Sequence, residues 1–285
     1  RAKMKLVIII PAYNEAALIG KTLDSLLAQR FSAEKIVIID DGSTDETPNV
    51  VLEYAEKNPS IQLIQKSSEA AHLPGSKVVQ AFNYGLERLD TDYDILCKFD
   101  ADLIFPENYL ETVVKSFQQN QNLGMYGGFC YVERNGSWEL ENLTNKDHIR
   151  GALKSYRKAC FEAIGGLKTA MGWDTLDELL AQYHGWAVDT NEALHVKHLK
   201  PTGHTYSAKA KYKQGEAFYG MRYGLALTAI ASGKLAFRKK SFKLFRDYLN
   251  GYFKAQKKHL PFLVTQEEGA FIRKLRLSKI KQKLF

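Results

Sequence analysis

Hydrophobic residues in the first hundred positions form short unbroken runs, separated by longer segments in which they recur every three or four residues. The runs do not alternate with polar residues, which is typical of strands covered on both faces. The intervening segments have the periodicity of helices that bury one side. This pattern predicts βαβ units and a mostly parallel sheet. The predicted strands are 5–10, 35–39, 61–65 and 93–99, and the predicted helices are 16–29, 44–57 and 77–89.

The pattern is less regular after the fourth predicted strand. Residues 149–158 suit either a helix or a strand, and we favour a strand followed by a short helix that ends at Gly165-Gly166. Trp173 and Asp174 directly precede another predicted helix, with Thr175 as its N-cap. Further predicted elements are a helix up to 120, strands at 123–133 and 193–198, a polar loop at 139–147, and helices from 212 onward.

Polar clusters follow three of the predicted strands. PAYNE follows the first strand, DDGS the second, and Asp100-Ala101-Asp102 the fourth. Because ligands of parallel sheets bind outside the carboxyl ends of the strands, we expect the clusters to form one site. Residues i and i+2 of an extended chain point the same way, so Asp100 and Asp102 are expected side by side. Two adjacent carboxylates favour a divalent cation, although an isolated Asp-x-Asp more often marks a turn.

Composition narrows the class of protein. The 285 residues suffice for a sizeable core, and the apolar (45%) and charged (25%) fractions are ordinary for a globular protein. Cys97, Cys130 and Cys160 form no Cys-x-x-Cys pair, which fits a reducing compartment. No apolar stretch approaches the length of a membrane span, and no signal-peptide pattern is present. We therefore expect a cytoplasmic protein.

The formal net charge of +8 favours an anionic partner. Basic residues crowd the chain from Lys234 onward, whereas the first hundred residues are nearly balanced. Residues 223–237, with the basic residues after them, suit an amphipathic helix on a membrane surface, which would give peripheral contact with the inner face of the plasma membrane. Packing of these helices on the rest of the chain or on a second subunit is an equally open alternative.

Five motifs follow one another along the chain: IIIPAYNEAALIGKTLDSLLAQ, IVIIDDGSTDET, KVVQAFNYGLE, KFDADLIFPENYLE and AIGGLKTAMGWDTLDELLAQYHGW. Through them the chain resembles the inverting nucleotide-sugar glycosyltransferase family two over residues 5–203. The resemblance implies the α/β GT-A fold, which is Rossmann-like, with a mostly parallel mixed sheet and helices on both faces. It makes residues 1–212 the GT-A catalytic domain and leaves residues 213–285 as a basic helical C-terminal extension.

The resemblance also implies a donor site at the strand ends. Asp41 matches a residue that hydrogen-bonds the base, and a carboxylate that accepts a ring N–H suits uracil or thymine without excluding guanine. Asp100 matches a contact to the ribose or the metal. Asp102 matches the ligand of a Mg²⁺ or Mn²⁺ ion that bridges the diphosphate. The other residues implied at the nucleotide are Pro11, Ala12, Tyr13, Glu15, Lys77 and Ala101.

Two of the implied roles have competing interpretations. Lys77 matches a basic position near the nucleotide, but a solvated lysine at a helix start is an alternative. His198, in the segment VKHLKPTGH, matches a histidine that meets the metal or the diphosphate, with His195 and His204 as rivals. A lone histidine is more often structural, so the assignment depends on where the chain places it.

The transfer of a sugar to a hydroxyl group needs a general base, since the acceptor must lose a proton as it attacks. The resemblance places that base in the segment after Gly165-Gly166, usually as Glu-Asp. Here the matching pair is Trp173-Asp174, so Asp174 is the implied base, and Trp173 could instead provide a platform for a sugar ring. Asp177 and Glu178 are the rivals one turn later. All of these acids also suit the N-terminal turn of a helix.

The expected function is metal-dependent, inverting transfer from a nucleotide-diphospho sugar, with a UDP-sugar favoured, to a saccharide or lipid-linked saccharide in surface-glycan biosynthesis. No nucleic-acid partner is expected. One alternative is a nucleotidyltransferase that makes the sugar nucleotide, but PAYNEAALIG lacks a glycine-rich, basic phosphate loop. Another is a non-enzymatic basic module that binds nucleic acid or membrane, which would not explain three acidic strand ends.

Overall fold

The computed structural model describes residues 4–67, 76–141, 145–200 and 210–284. Within these ranges the chain forms one sheet of nine strands together with ten helices. The strands are β1 Leu6–Ala12, β2 Lys35–Asp40, β3 Ile61–Gln65, β4 Ile95–Phe99, β5 Leu103–Ile104, β6 Leu123–Arg134, β7 Ser137–Leu140, β8 Leu153–Arg157 and β9 Ala187–His198. The helices are α1 Ile19–Leu27, α2 Thr47–Lys57, α3 Ser76–Glu87, α4 Tyr109–Gln119, α5 Lys158–Ala163, α6 Trp173–Tyr183, α7 Ala210–Gly220, α8 Gly224–Arg238, α9 Phe242–Lys257 and α10 Gln266–Leu284.

The sheet has the strand order β3-β2-β1-β4-β8-β6-β9-β5, and β7 pairs with β6. The first four strands in this order are parallel, as the strand–helix alternation predicts. The antiparallel pairs lie in the other half, where β8 runs against both β4 and β6. The sheet is therefore mixed, and the predicted α/β fold class is confirmed.

Both faces of the sheet are covered, which explains the unbroken apolar runs. Alternate residues of β1 enter two different hydrophobic clusters. Val7 and Ile9 pack in the cluster that includes residues of α3, α6 and the C-terminal helices. Ile8 and Ile10 pack in the cluster formed with α1, α2 and α4. The absence of polar positions in the run thus follows from burial on both sides.

Two predicted boundaries at the site need correction. The first strand does not end at Pro11 but continues to Ala12, because the extended backbone suits proline and Pro11 lies in register with Ile39 of β2. Helix α6 begins at Trp173 instead of after Asp174. Gly172 precedes it with a positive φ of 77°, so Thr175 lies inside the first turn and is not the N-cap.

The structure also defines two segments whose sequence patterns are weak. The ambiguous region 149–158 does contain a strand, β8, which lies between β4 and β6 and is almost fully buried. Part of the predicted polar loop at 139–147 belongs instead to β7, which forms a hairpin with the end of β6. Strand β8 is defined by pairing with residues far away in sequence, and the short β7 by its hairpin with β6, so the periodicity of either segment alone is a poor guide.

The C-terminal helices pack on the rest of the protein. Helices α7 and α9 approach closely at two glycines, since a Cβ at Gly215 would collide with the backbone of Tyr248 and one at Gly251 with that of Tyr212. Phe218 and other residues of α7 belong to the same hydrophobic cluster as α6. In the described ranges, no helix has both the length and the apolar character needed to cross a bilayer. The domain boundary at residue 212 stays a prediction.

Candidate active site

The three polar clusters meet at the carboxyl edge of the parallel strands. The amide of Asp41 donates a hydrogen bond to the carbonyl of Ala12 at 2.9 Å, and the amide of Asn14 donates to the Ser43 hydroxyl at 2.9 Å. Thr22 of α1 donates to the carbonyl of Ala101 at 2.7 Å. The loops after β1, β2 and β4 are therefore held in one place by direct contacts.

The loop after β1 places its residues in different environments. Ala12 is buried, whereas the Tyr13 ring is 51% exposed beside it. Glu15 forms an ion pair with Lys200, 2.6 Å away, which ties this loop to the segment after β9. Burial raises the pKa of Glu15, and Lys200 opposes that shift. Glu15 is thus held in place by a cation and is only partly available to a ligand.

Asp41 directly follows β2, and Lys77 lies at the start of α3. The Asp41 carboxylate is buried and lies 3.1 Å from the ammonium of Lys66, at the end of β3. Lys77 is the second residue of α3 and is partly buried. Asp41 therefore has a cationic partner that the sequence did not indicate.

Asp100 and Asp102 lie in a turn between β4 and β5, so the alternation of an extended strand does not orient them. Asp100 pairs with the ammonium of Lys98, which is buried and also donates to the carbonyl of Gly151 at 3.0 Å. Asp102 instead faces His198, with 3.4 Å between its Oδ2 and the Nε2 of the ring. Two like charges are tolerated here because each carboxylate has its own cationic neighbour.

His198, at the end of β9, joins Asp102 to a second buried acid. Its Nδ1 lies 3.0 Å from Oε2 of Glu141, which also accepts a 2.9 Å bond from Arg150. Burial alone would lower the pKa of His198, but the carboxylates of Asp102 and Glu141 outweigh it and raise the pKa to about 9. The structure thus brings His198 to the Asp102 carboxylate.

Of the two rival histidines, His195 is described by the structure, and it lies away from Asp102. His195 lies against Tyr131, with 3.0 Å between its Nε2 and the tyrosine hydroxyl and 4.1 Å between the ring centres. His204 lies outside the described residues. The alternation along β9 explains the first observation, because residues three apart in a strand point to opposite faces.

The donor atoms around His198 fit a divalent cation. Asp102 offers a carboxylate oxygen and His198 an imidazole nitrogen, a donor set that suits Mn²⁺ or Mg²⁺. Glu141 also lies close, within a group whose ligand atoms are all within 4.8 Å and which includes Cys130. Burial raises the pKa of the Cys130 thiol to about 12, so it stays protonated and is a poor ligand. Glu141, bonded to the other ring nitrogen, is placed to orient the imidazole.

Asp174 lies in the first turn of α6, next to the strand-end turn. Its side chain is 32% exposed, and a Cβ on Gly151 would lie 3.3 Å from its Oδ2. The carbonyl of the same Gly151 accepts a hydrogen bond from Lys98, which pairs with Asp100. Asp174 and Asp100 are therefore linked through Gly151 and Lys98, although 74 positions of sequence separate them.

The electrostatic environment keeps Asp174 ionised. The Nε2 of His148 lies 3.7 Å from its Oδ2, and Lys154 donates to its backbone carbonyl. Burial would raise the pKa of Asp174, but His148, Lys154 and Arg150 outweigh it and lower the pKa to about 2. A carboxylate of this kind is charged throughout the neutral range and can accept a proton from a bound hydroxyl.

Asp177 and Glu178 have a different role from Asp174. Lys154 has no exposed surface and lies 2.8 Å from Asp177 and 3.0 Å from Glu178. Tyr156 donates to Asp177 at 2.5 Å, and the amide of Ile149 donates to Glu178 at 2.8 Å. Burial raises the pKa of Asp177, whereas Lys154 and His148 outweigh burial and lower that of Glu178. Both acids balance a buried cation and do not open onto the site, so neither is a convincing rival base.

Trp173 is not a platform for a sugar. Its side chain is only 6% exposed, and its ring packs near two buried lysines. The ammonium of Lys98 is 5.4 Å from the ring centre and that of Lys154 is 5.9 Å from it. The indole therefore shields and stabilises the two cations beneath the site.

Sequence reasoning missed several charged residues that support this site. Lys98 and Lys154 face each other in the register of β4 and β8. Lys98 interrupts an otherwise apolar strand, which is a signal that could have revealed it, whereas Lys154 lies in the more polar strand LKSYR and does not stand out. The others had no comparable signal, because they lie in an irregular segment. The missed residues are Lys98, Lys154, His148, Arg150, Glu141, Lys66 and Lys200.

Solved structures of glycosyltransferases share this fold. A mannosyltransferase from Pyrobaculum calidifontis in complex with GDP-Man and Mn²⁺ is 16% identical, with a TM-score of 0.59 over 100% of this chain and 81% of its own. Staphylococcus aureus TarS in complex with UDP-GlcNAc is 17% identical, with a TM-score of 0.59 over 88% of this chain and 73% of its own. The sheet and its helices therefore form the GT-A fold of glycosyltransferases.

Sequence similarity then defines the family. The glycosyl transferase family 2 profile matches residues 7–166, and the chain belongs to this family, as the motifs predicted. An uncharacterized glycosyltransferase of Escherichia coli K12 is 28% identical over 54% of this chain and 45% of its own. The poly-β-1,6-N-acetyl-D-glucosamine synthase of Staphylococcus aureus is 28% identical over 56% of this chain and 34% of its own. Neither a nucleotidyltransferase nor a non-enzymatic module is supported.

The matched region is only part of these relatives. In five curated relatives, the chain spans between 18% and 57% of their length. Similarity therefore defines the family and the fold, while the particular donor and acceptor depend on the residues of the site.

Proposed function

We propose that this protein is an inverting, metal-dependent glycosyltransferase that uses a nucleotide-diphospho sugar, with a UDP-sugar favoured, to glycosylate a saccharide or lipid-linked saccharide in surface-glycan assembly. The observation that carries the proposal is the position of Asp174. It is a charged, partly exposed carboxylate that contacts Gly151, whose carbonyl is bonded to the Lys98 partner of Asp100. A candidate base thus adjoins a candidate donor site.

The donor would lie along the carboxyl edge of the parallel strands. Tyr13 offers an exposed ring beside the buried end of β1, and Asp41 offers a carboxylate acceptor for a base N–H. In this proposal Pro11, Ala12 and Glu15 of the loop after β1 would line the nucleotide, together with Lys77 and Ala101. UDP-GlcNAc and GDP-Man are the donors bound by the two structural neighbours, which is consistent with either base.

Asp102 and His198 would hold the Mg²⁺ or Mn²⁺ ion in this proposal. When bound, the cation would neutralise negative charge that develops on the departing diphosphate. Asp174 removes the proton from the acceptor hydroxyl as its oxygen attacks the anomeric carbon. Attack from the face opposite the leaving group inverts that carbon, and the nucleoside diphosphate leaves with the bonding electron pair.

A donor-binding test uses thermal stability of the intact protein. UDP, GDP and dTDP, each with Mn²⁺ or Mg²⁺, are compared with the metal alone. The matching nucleotide should stabilise the folded state by about 2.7 kcal/mol at roughly one hundred times its Kd. Asp102→Asn should remove the metal-dependent part of this shift, because it weakens the proposed cation ligand. If no nucleotide stabilises the protein, the donor-site assignment is wrong.

Glu141 should affect cation binding through His198. Glu141→Gln removes the negative charge next to Nδ1, so we expect Mn²⁺ affinity in the presence of nucleotide to fall by roughly tenfold to a hundredfold. Electron paramagnetic resonance of free Mn²⁺ measures this affinity without requiring catalysis. Glu139→Gln, an exposed change two residues away, is the matched control. Equal affinities for the two variants would contradict the proposed orientation of His198.

Peripheral membrane contact is proposed for the basic turn between α8 and α9. Phe237 and Phe242 are 85% and 81% exposed, and Lys239, Lys240 and nearby basic residues surround them. Aromatic rings with adjacent cations favour an anionic bilayer surface. We expect the protein to float with phosphatidylglycerol-containing liposomes and a Phe237→Ser/Phe242→Ser variant to float much less. Equal flotation of both proteins would refute this contact.

A further inference from the structure

A crevice of about 200 Å³ lies between α6 and the C-terminal helices, with His148 in its lining. Helices α8 and α10 provide much of its wall, and the remainder comes from α6 and the segment before β8. The charged and titratable lining residues are Asp147, His148, Glu178, Arg238, Arg276 and Lys279.

Both carboxylates of the crevice already have cationic partners. Asp147 lies 2.9 Å from the ammonium of Lys279, across the opening between the chain segments. Glu178 lies 3.0 Å from both Lys154 and His148. The negative charge of the lining is therefore neutralised within the protein, and it cannot balance further cations.

Two guanidinium groups remain without a carboxylate among the described residues. Arg238 makes one long contact of 3.5 Å, to the side-chain oxygen of Asn145. Arg276 forms no ion pair in the described ranges, and its Nε is shielded from solvent without a hydrogen-bond partner. Both side chains line the crevice, so a ligand with anionic oxygens would be favoured here. Planar guanidinium groups match phosphate and carboxylate oxygens in geometry as well as in charge.

The crevice adjoins the candidate base. His148 lines it, and the Nε2 of the same ring faces Asp174 at 3.7 Å. Thr175, which follows Asp174 in α6, also lines it. Burial would lower the pKa of His148, but Asp174 and Glu178 outweigh it and raise the pKa to about 9, which adds positive charge at neutral pH. The side chain of His148 therefore separates a ligand in the crevice from Asp174 and from the hydroxyl group that Asp174 would deprotonate.

We propose that this crevice binds an anionic group, a phosphate or a carboxylate, carried by the saccharide acceptor. The proposal rests on the proposed glycosyltransferase function, because it takes Asp174 as the base that marks the acceptor side. The donor diphosphate is assigned to Asp102 and His198. Neither residue lines the crevice, so the crevice provides a separate anion site. Arg276 and Arg238 contact the anionic group, and the acceptor sugar extends past His148 toward Asp174.

Direct binding tests the crevice without requiring turnover. Inorganic phosphate, a hexose 6-phosphate, glucuronate and uncharged glucose are added to the intact protein at constant ionic strength, with the arginine Nε–H resonances followed by NMR. The anions should shift the Arg276 resonance and glucose should not. Arg276→Gln should weaken anion binding at least tenfold, whereas Lys274→Gln, an exposed charge change on the same helix, should not. Arg238→Gln, with Lys234→Gln as its control at an exposed position of α8 outside the crevice lining, repeats the comparison on α8.

The outcomes separate this proposal from the proposed function. Equal anion binding by Arg276→Gln and Lys274→Gln, or no shift with any anion, overturns the crevice assignment even if nucleotides bind. Anion binding that depends on Arg276 in a protein that binds no nucleotide supports the crevice and contradicts the donor site. If phosphatidylglycerol vesicles, and none of the small anions, depend on Arg276, the crevice recognises lipid headgroups and the acceptor proposal is wrong. Once transfer is measured, Arg276→Gln should raise KM at least tenfold for an anionic acceptor only.

Discussion

Replacing Asp174 with asparagine is expected to lower the kcat of glycosyl transfer by roughly 10²–10⁴-fold, because the amide cannot accept the proton of the acceptor hydroxyl. Asparagine has nearly the same shape, so α6 and its contact with Gly151 should persist. The proposed donor site is formed by other residues, so nucleotide binding should be unchanged. Single-turnover transfer, together with nucleotide titration, separates the two effects.

The pH dependence provides a second check on Asp174. A general base is active when it is unprotonated, and a pKa lowered to about 2 keeps this carboxylate in that form. Protonation of Asp174 should therefore cause no loss of kcat/KM between about pH 7 and about pH 5. Asp189→Asn, an exposed change on β9, is the control and should retain activity. Full activity of Asp174→Asn would instead require another base.

Replacing Lys154 with methionine is expected to reduce the free energy of unfolding by about 3–5 kcal/mol, as removal of one partner from a buried charge network usually does. Lys154 is fully buried, and its ammonium contacts both Asp177 and Glu178. Methionine fills much of the same volume, so the loss would come mainly from Asp177, left without a cation, and from Glu178, left with His148 alone. Chemical denaturation of the variant and the parent protein measures the difference.

Three controls distinguish this charge effect from a general packing defect. Lys21→Met, at an exposed position of α1, should change the unfolding free energy by less than about 0.5 kcal/mol. Adding Asp177→Asn to Lys154→Met should recover part of the loss, because it removes one buried charge. The deficit should also shrink as pH falls, because the uncompensated carboxylates would have raised pKa values and bind protons in the folded state. A loss that is independent of pH and of Asp177 would contradict the charge explanation.

The parallel half of the sheet shows how much local pattern can predict. Residues such as Ile8, Ile9 and Ile10 are apolar because both faces of β1 are covered, and that burial is visible as an unbroken run. The ends of β1, β2 and β4 then follow from the parallel arrangement, since their carboxyl ends share an edge. The motifs at this edge were sufficient to predict the family and the GT-A fold.

The second half of the site depends on pairings that local sequence does not encode. The placement of β8 between β4 and β6 brings Lys154 opposite Lys98 and makes Asp177 and Glu178 structural acids. In sequence alone, the same Asp-Glu pair remained a rival of Asp174 for the catalytic role. Burial by distant elements is what separates these acids from Asp174.

The sequence by itself determined the order of strands and helices in the first hundred residues, the acidic edge, the family and the choice of Asp174 and His198 as candidates. Only the tertiary structure decided which acids pair with which cations, where the buried Trp173 lies, and that the C-terminal helices form a cationic crevice beside His148. The physical reason is the sequence distance over which each kind of interaction acts. Periodicity and turn chemistry act between neighbouring residues, whereas charge pairing and burial are set by segments that meet only after the chain has folded.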